Sequence, residues 1–107
     1  MQMNKIVVYV YRNVYSYKEE GIMEEIAIGK VVGYFAKIGV AAIKITNGEL
    51  KIGDKIKFKG HSTDFEQEVE SMQVEHVNVD KVGVGKDVGI KVKERVREHD
   101  TVYLIKE

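Results

Sequence analysis

The feature that most constrains the fold of this chain is the kind of apolar residue it uses. Its 107 residues include 17 valines and 11 isoleucines but only two leucines and four alanines. Branching at Cβ restricts χ1 and suits the pleated surface of a strand, whereas leucine and alanine favour helices. The composition therefore predicts an all-β domain.

Length, charge and the absence of cysteine exclude several classes of function. The length is that of a single domain, and 17 basic against 17 acidic residues give no net charge. A field over the whole protein that attracts nucleic acid or a membrane is therefore excluded, which leaves only local patches. Without cysteine, disulfides, thiolate catalysis and Cys-based zinc sites are excluded too.

The apolar runs are too short to span a bilayer or to form a secretory signal, so we expect a cytoplasmic protein with no membrane partner. Charged residues make up 32% of the chain, which is typical of heat-adapted proteins.

Turn residues divide the chain into short strands. Glycines inside the second strand predict bulges at Gly29 and Gly33, and a phase change predicts another near Glu70 and Ser71. One short helical turn is allowed over 78–82. Strands separated by turns every 8 to 12 residues indicate a closed barrel or a small sandwich. The predicted strands are 5–11, 25–36, 40–46, 55–59, 65–77, 87–92 and 101–105.

From Ile28 onward, a spaced series of segments resembles domain two of the translational GTPases, the β-barrel of elongation factor Tu and the initiation factors. The resemblance covers roughly residues 24 to 106, and its most specific pieces are Asn47–Gly48, Leu50–Asp54, Ser71–His76 and Gly85–Val92. It implies a closed six-stranded Greek-key barrel over 24–107, preceded by an N-terminal β extension over 1–23. Similar barrels occur as the C-terminal module of collagenase-like peptidases and in a large-subunit ribosomal protein.

The sequence departs from these translation factors in two ways. No G-x-x-x-x-G-K-[ST] motif is present, so neither a nucleotide nor GTP hydrolysis is expected. His99 stands where a glycine is expected in the turn before the last strand, and histidine tolerates a positive φ only at some cost. The resemblance therefore implies a stand-alone barrel like the small elongation factor-like proteins, without a GTPase domain.

Two basic rows are the candidate nucleic-acid-binding surface. Lysines at every second position of a strand project about 7 Å apart on one face, close to the spacing of successive phosphates. An RNA or a ribosome is the partner that this surface and the resemblance suggest. The alternative is a solvated exterior in which lysines protect a strand. The candidate residues are Lys55, Lys57, Lys59 and His61 in the first row, and Lys91, Lys93, Arg95 and Arg97 in the second.

Acidic residues at period two over 64–70 diverge along a strand face, so cross-strand pairing with the lysines is a better interpretation than a metal or acid–base site. The three histidines, His61, His76 and His99, lack metal-ligand spacing, and no serine has a nucleophile motif. We therefore predict no metal, no cofactor and no catalytic residue.

The N-terminal extension holds four of the six tyrosines, and its strand over 5–11 is apolar on both faces. Such a strand needs cover on both sides, so it packs over the barrel, exchanges with a second copy in a dimer, or stacks RNA bases. The candidate interaction residues are Tyr9, Tyr11, Tyr15 and Tyr17. The function predicted from the sequence is a non-enzymatic module associated with RNA or translation. The alternative is a protein-interaction scaffold, for instance the partner of a larger enzyme.

Overall fold

A computed structural model describes the backbone of residues 6–11, 14–19 and 24–106, and the side chains of residues 24–106. This part of the chain is all-β, with twelve strands and no helix. The strands are β1 (Ile6–Tyr11), β2 (Val14–Glu19), β3 (Glu24–Phe35), β4 (Val40–Ile45), β5 (Glu49–Lys51), β6 (Lys55–Lys59), β7 (Asp64–Glu68), β8 (Met72–Val74), β9 (Val77–Asn78), β10 (Lys81–Gly83), β11 (Asp87–Lys91) and β12 (Thr101–Lys106). The predicted all-β class is confirmed.

Eight strands form one sheet in the order β7-β6-β12-β3-β4-β11-β8-β9. Every pair in it is antiparallel. Strands β5 and β10 form a separate pair, and β1 pairs with β2. Because β7 and β9 are the two edges of the large sheet, the described hydrogen-bond ladders make an open sheet, and no closed barrel is found among them.

The core lies on one face of the large sheet. It includes the alternating apolar residues that the sequence predicted for β6. Ile56 and Phe58 are fully buried, and the Phe58 ring stacks on that of Phe65 with centroids 5.0 Å apart. Leu50 and Val82 bring the small β5–β10 sheet into the same cluster. Burial of this kind contributes about 1.5–3 kcal/mol for each large apolar side chain.

Two bulges in β3 lie beside the glycines that predicted them. The register of β3 shifts against β12 between Val102 and Tyr103, next to Gly29. It shifts against β4 between Val31 and Gly33. Gly29 is also a site of close approach, since a Cβ there would lie 2.5 Å from the carbonyl oxygen of Lys44. The bulge predicted near Glu70 and Ser71 is instead a break between two strands, because β7 ends at Glu68 and β8 begins at Met72.

The loop before β12 confirms the expectation for His99, which has φ +78°. Its backbone N–H donates to the Val31 carbonyl at 2.8 Å, and the Val31 N–H donates back to the Asp100 carbonyl at 2.9 Å. The buried Asp100 carboxylate accepts the Arg97 N–H at 2.8 Å. These bonds hold a left-handed residue in a place where glycine would adopt the conformation without a side-chain clash.

Some of the predicted local structure is wrong. No helical turn forms over 78–82, because this stretch contains the end of β9 and the first two residues of β10, and Val82 is buried in the core. Strands β2, β5, β9 and β10 were not predicted, since each is only two to six residues long and its pattern is masked by neighbouring turns. Arg12 and Asn13, predicted as a turn, lie outside the described residues.

Candidate functional site

The first basic row lies on β6, where every lysine faces an acid on β7. The backbone register sets Lys55 opposite Glu68, Lys57 opposite Glu66 and Lys59 opposite Asp64. Lys59 Nζ lies 3.5 Å from an Asp64 carboxylate oxygen, with both side chains more than half exposed. The cross-strand pairing predicted from the acidic pattern is therefore present, and the face carries balanced charge.

Lys57 has an ion-pair partner on another strand. Its Nζ donates a hydrogen bond to Glu25 Oε2 on β3 at 3.1 Å, and its side chain is only 16% exposed. The hydrogen bond to the Glu25 carboxylate raises the pKa of Lys57 above its usual 10.5. Lys57 is therefore a fully charged, anchored lysine, while Lys59 on the same row is in solvent.

The second basic row also faces acids and aromatic rings. Lys91 and Lys93 line a cavity of about 410 Å³ together with Glu68 and Glu70. Arg95 lies over the Tyr34 ring, 6.0 Å from its centroid, within the range of a cation–π contact.

Strand β7 lies between the two basic rows. It pairs with β6 on one side, and its Gln67 side-chain amide bonds Lys91 and Lys93 on the other. The structure therefore brings the rows near each other, separated by an acidic strand. His61 is exposed in the loop between β6 and β7, and Arg97 is exposed in the loop before β12.

An apolar groove, which the sequence did not predict, lies on the outer face of β3, β4, β11 and β8. Its floor is a row of small residues across adjacent strands, because Ala42 pairs with Gly33 on one side and with Gly89 on the other. Gly89 in turn pairs with Gln73 on β8. Because these floor residues have small side chains or none, the surface of the sheet is concave at this place.

The walls of this groove are large apolar side chains that water reaches. Phe35 is 55% exposed and Ile38 is 61% exposed, although side chains of their size normally gain about 1.5–3 kcal/mol from burial. Both lie at the β3–β4 turn, and with Val40 they enclose a volume of about 320 Å³. An exposed apolar patch with a concave shape is typical of a binding surface.

The opposite rim of the groove is acidic. Glu75, His76 and Asp87 line it, and no lysine or arginine is among its lining residues. Asp87 lies 3.5 Å from Lys44 Nζ in an exposed ion pair. Glu75 and His76 form the two-residue turn between β8 and β9 with φ of +50° and +66°, a conformation that normally selects Asn-Gly.

The sequence contains individual residues that indicate the groove, but it does not show the strand pairing that brings them together. Gly33 and Gly89 interrupt strands, and such glycines often mark a bulge or a close approach. Placing both beside Ala42 requires the pairing register of three strands, which a period-two pattern does not contain.

Other candidate groups have a simpler outcome. Within the described residues, no three histidine or acidic side chains are placed to hold a metal ion. No helix in this part of the chain could span a membrane.

The predicted interaction tyrosines lie on the β1–β2 hairpin, where Tyr9 is opposite Ser16 and Tyr15 is opposite Val10. Their side chains are outside the described residues, so their role in packing or self-association stays a prediction.

Comparison with known proteins relates the chain to peptidases. It is 44% identical over 84 residues to a protein from Methanocaldococcus jannaschii named as an uncharacterized protease, a match that covers 78% of this chain and 20% of that protein. It is 41% identical over 81 residues to a Porphyromonas gingivalis protein named collagenase, covering 75% of this chain and 20% of that one. The chain thus spans about a fifth of the length of these relatives. No family model matches.

Solved structures give the same relationship. The C-terminal domain of a Geobacillus thermoleovorans protein, named there as a U32 peptidase, superimposes with a TM-score of 0.68 at 26% identity. The alignment covers 75% of this chain and 91% of that domain. A selenomethionine variant of the same domain superimposes with a TM-score of 0.67.

These comparisons overturn the predicted assignment to translation factors, and with it the predicted RNA or translation function. The prediction that the protein is not an enzyme is contradicted as well, because the relatives are named as proteases. The segments behind the resemblance, such as Leu50–Asp54, combine turns with short strands, which several families on one fold share. Of the architectures considered from the sequence, the chain is similar to the C-terminal β domain of a protein named as a U32 peptidase.

Proposed function

We propose that this chain is a β domain that works with the catalytic part of a U32-type peptidase. The observation that carries the proposal is the 44% identity over 84 residues to the M. jannaschii protein named as a protease. The likeness to a C-terminal domain of a protein named as a U32 peptidase supports it. The peptidase activity of the complete assembly, and polypeptide as its substrate, belong to this proposal.

A domain exchange in the P. gingivalis collagenase tests this function. Three forms are compared on fluorescein-labelled gelatin: the intact protein, a form without the stretch that matches this chain, and a chimera carrying residues 24–106 of this chain in its place. We expect the deletion to lose hydrolysis and the chimera to regain most of it. Full hydrolysis by the deletion form, or an inactive chimera that is folded by circular dichroism, would refute the proposal.

We also propose that the large sheet curls into the closed six-stranded barrel expected from the sequence. Strand β7 pairs with β6 at one end of the sheet, β8 pairs with β11 near the other end, and only three residues separate β7 from β8. One bent run over 64–74 therefore reaches both ends of the sheet.

The Gln67 side chain supports this closure. It donates from Nε2 to the Lys91 carbonyl at 2.8 Å and accepts the Lys93 N–H at 2.9 Å, which joins β7 to the end of β11. Amide hydrogen exchange tests the closure. In a closed barrel, the N–H group of Lys93, which donates to Gln67, exchanges as slowly as those inside β12, whereas in an open sheet it exchanges with the edges.

A further inference from the structure

Among the surfaces of the described residues, the groove on β3, β4, β11 and β8 has the chemistry that most favours binding of a ligand. The β6–β7 face carries acids that match its lysines, and the cavity beside Lys91 and Lys93 mixes both charges. The groove instead combines exposed Phe35 and Ile38 with acids on one rim and no lysine or arginine in its lining.

We infer that this groove binds an extended segment of the peptidase's polypeptide substrate, in which an apolar side chain is flanked by lysine or arginine. The inference rests on the proposed function, because the substrate is polypeptide only if the chain works with a peptidase. It names the part of a substrate that this domain holds and the surface that holds it.

The apolar part of the ligand follows from the walls and the floor. Phe35, Ile38 and Val40 form the apolar wall, and Ala42 and Gly89 leave room above the sheet. A side chain such as leucine that enters this space removes its own surface and that of Phe35 from water together. Burial of that kind is the main favourable term in recognising an apolar residue.

The basic part follows from the opposite rim. Glu75 and Asp87 present carboxylate oxygens, which accept hydrogen bonds from ammonium and guanidinium groups. Lys44 forms an exposed 3.5 Å pair with Asp87 and can yield that place to a ligand cation at little cost, and Lys30 is its register partner on β3. An acidic segment would instead meet two carboxylates of its own sign.

The size of the groove favours a short segment over the body of an enzyme domain. A volume of about 320 Å³ admits one or two side chains. An interface between domains of one chain covers about 600–1,500 Å² of surface, an area that extends well beyond a hollow of this volume. An extended peptide crossing the sheet matches the dimensions of the groove, with one side chain inside it and the side chains two positions away, which point the same way, at the rim.

Fluorescence anisotropy with the isolated chain and three labelled pentapeptides tests the inference. The probes are Lys-Gly-Leu-Gly-Lys, the acidic Glu-Gly-Leu-Gly-Glu, and Lys-Gly-Ser-Gly-Lys, which lacks the apolar side chain. We expect the first to bind, with an affinity about tenfold or more above that of either other peptide. Equal affinities for all three, or no binding of the first at millimolar concentration, would overturn the inference.

Matched variants locate the binding. Ala42→Leu fills the groove and is expected to lower affinity about tenfold to a hundredfold. Ala27→Leu adds the same atoms to an exposed position of β3 outside the groove lining and should leave affinity unchanged. Phe35→Ser, with Val84→Ser as its exposed control, tests the wall by removing surface without overfilling the sheet. Binding that survives both Ala42→Leu and Phe35→Ser contradicts the inference.

The rim has its own test. Glu75→Gln should weaken binding about two- to fivefold and reduce its dependence on salt, while Glu94→Gln in the exposed loop before β12 should do neither. In the collagenase chimera, groove variants that lose gelatin hydrolysis while peptides fail to bind the isolated chain would make the groove an enzyme contact. That result would overturn the inference and leave the proposed function standing.

Discussion

The β6–β7 face and the groove show two ways in which a sheet surface meets water. On β6 and β7, each lysine has an acid opposite it, and the apolar residues point into the core. In the groove, Phe35 and Ile38 stand in solvent beside acids without cations among the lining residues. A face whose charges are matched internally offers a partner little, whereas an apolar, acid-rimmed face leaves free energy to be gained by binding.

The difference between the two faces requires a fixed register between β3 and β4. Substitutions at Gly29 and Gly33, which both lie on β3, test that register. Gly29→Ala should destabilise the fold by about 1–3 kcal/mol, because the new Cβ would press against the Lys44 carbonyl oxygen. Gly33→Ala meets only the Ala42 side chain at 3.8 Å and should be tolerated. Urea unfolding of both variants measures this, and equal effects would show that the β3–β4 register is loose.

The junction between the two regions runs through Gln67. Gln67→Ala removes two hydrogen bonds to the backbone at Lys91 and Lys93, and should cost about 1–2 kcal/mol. Gln73→Ala removes one bond to the exposed Asn78 side chain and serves as the control. If only Gln67→Ala lowers the midpoint of thermal unfolding, its two hydrogen bonds hold β7 to β11. Equal midpoints for the two variants would show that these bonds do not join the strands.

The strained turn at the groove rim separates stability from binding. Replacing Glu75 by Asn and His76 by Gly supplies residues that prefer positive φ, and should stabilise the protein by about 1 kcal/mol. It also removes the rim carboxylate, so peptide affinity should fall. His99→Gly relieves similar strain in another loop and should raise the thermal midpoint without changing peptide affinity. If the double variant gained stability and kept full peptide affinity, the acidic rim would not be part of the binding site.

The smallest effects belong to the charged face. A double-mutant cycle on Lys59→Ala and Asp64→Ala should give a coupling below about 1 kcal/mol that declines with salt, because both side chains are exposed. A larger, salt-resistant coupling would contradict this assignment.

Lys57 differs from Lys59 in its dependence on pH. Its pKa is raised in the folded state by Glu25, so the stabilisation is complete below pH 10.5 and is lost as the pH rises through the folded pKa. Lys57→Met should therefore flatten the alkaline part of the stability curve more than Lys59→Met does. Identical curves for the two variants would show that the Glu25 pair adds nothing.

The parts of the fold predicted from the sequence are those that local chemistry controls. The alternation of Lys55 to Lys59 gave the bounds of β6 without error, and the glycines of β3 marked its bulges. Short strands such as β9 escaped prediction because two residues carry no periodicity. The translation-factor assignment failed because it was built on turns and short strands, which several families on one fold share.

The sequence by itself determined that this chain is all-β, which residues face its core, and where positive φ would be strained, as at His99. These properties follow from side-chain branching, alternation and steric limits within a few residues. Only the tertiary structure decided that Gly33, Ala42 and Gly89 share one floor, and that Phe35 and Ile38 stand beside acids. Such neighbours are set by the register between strands distant in the chain, and no local pattern encodes which residues will meet there.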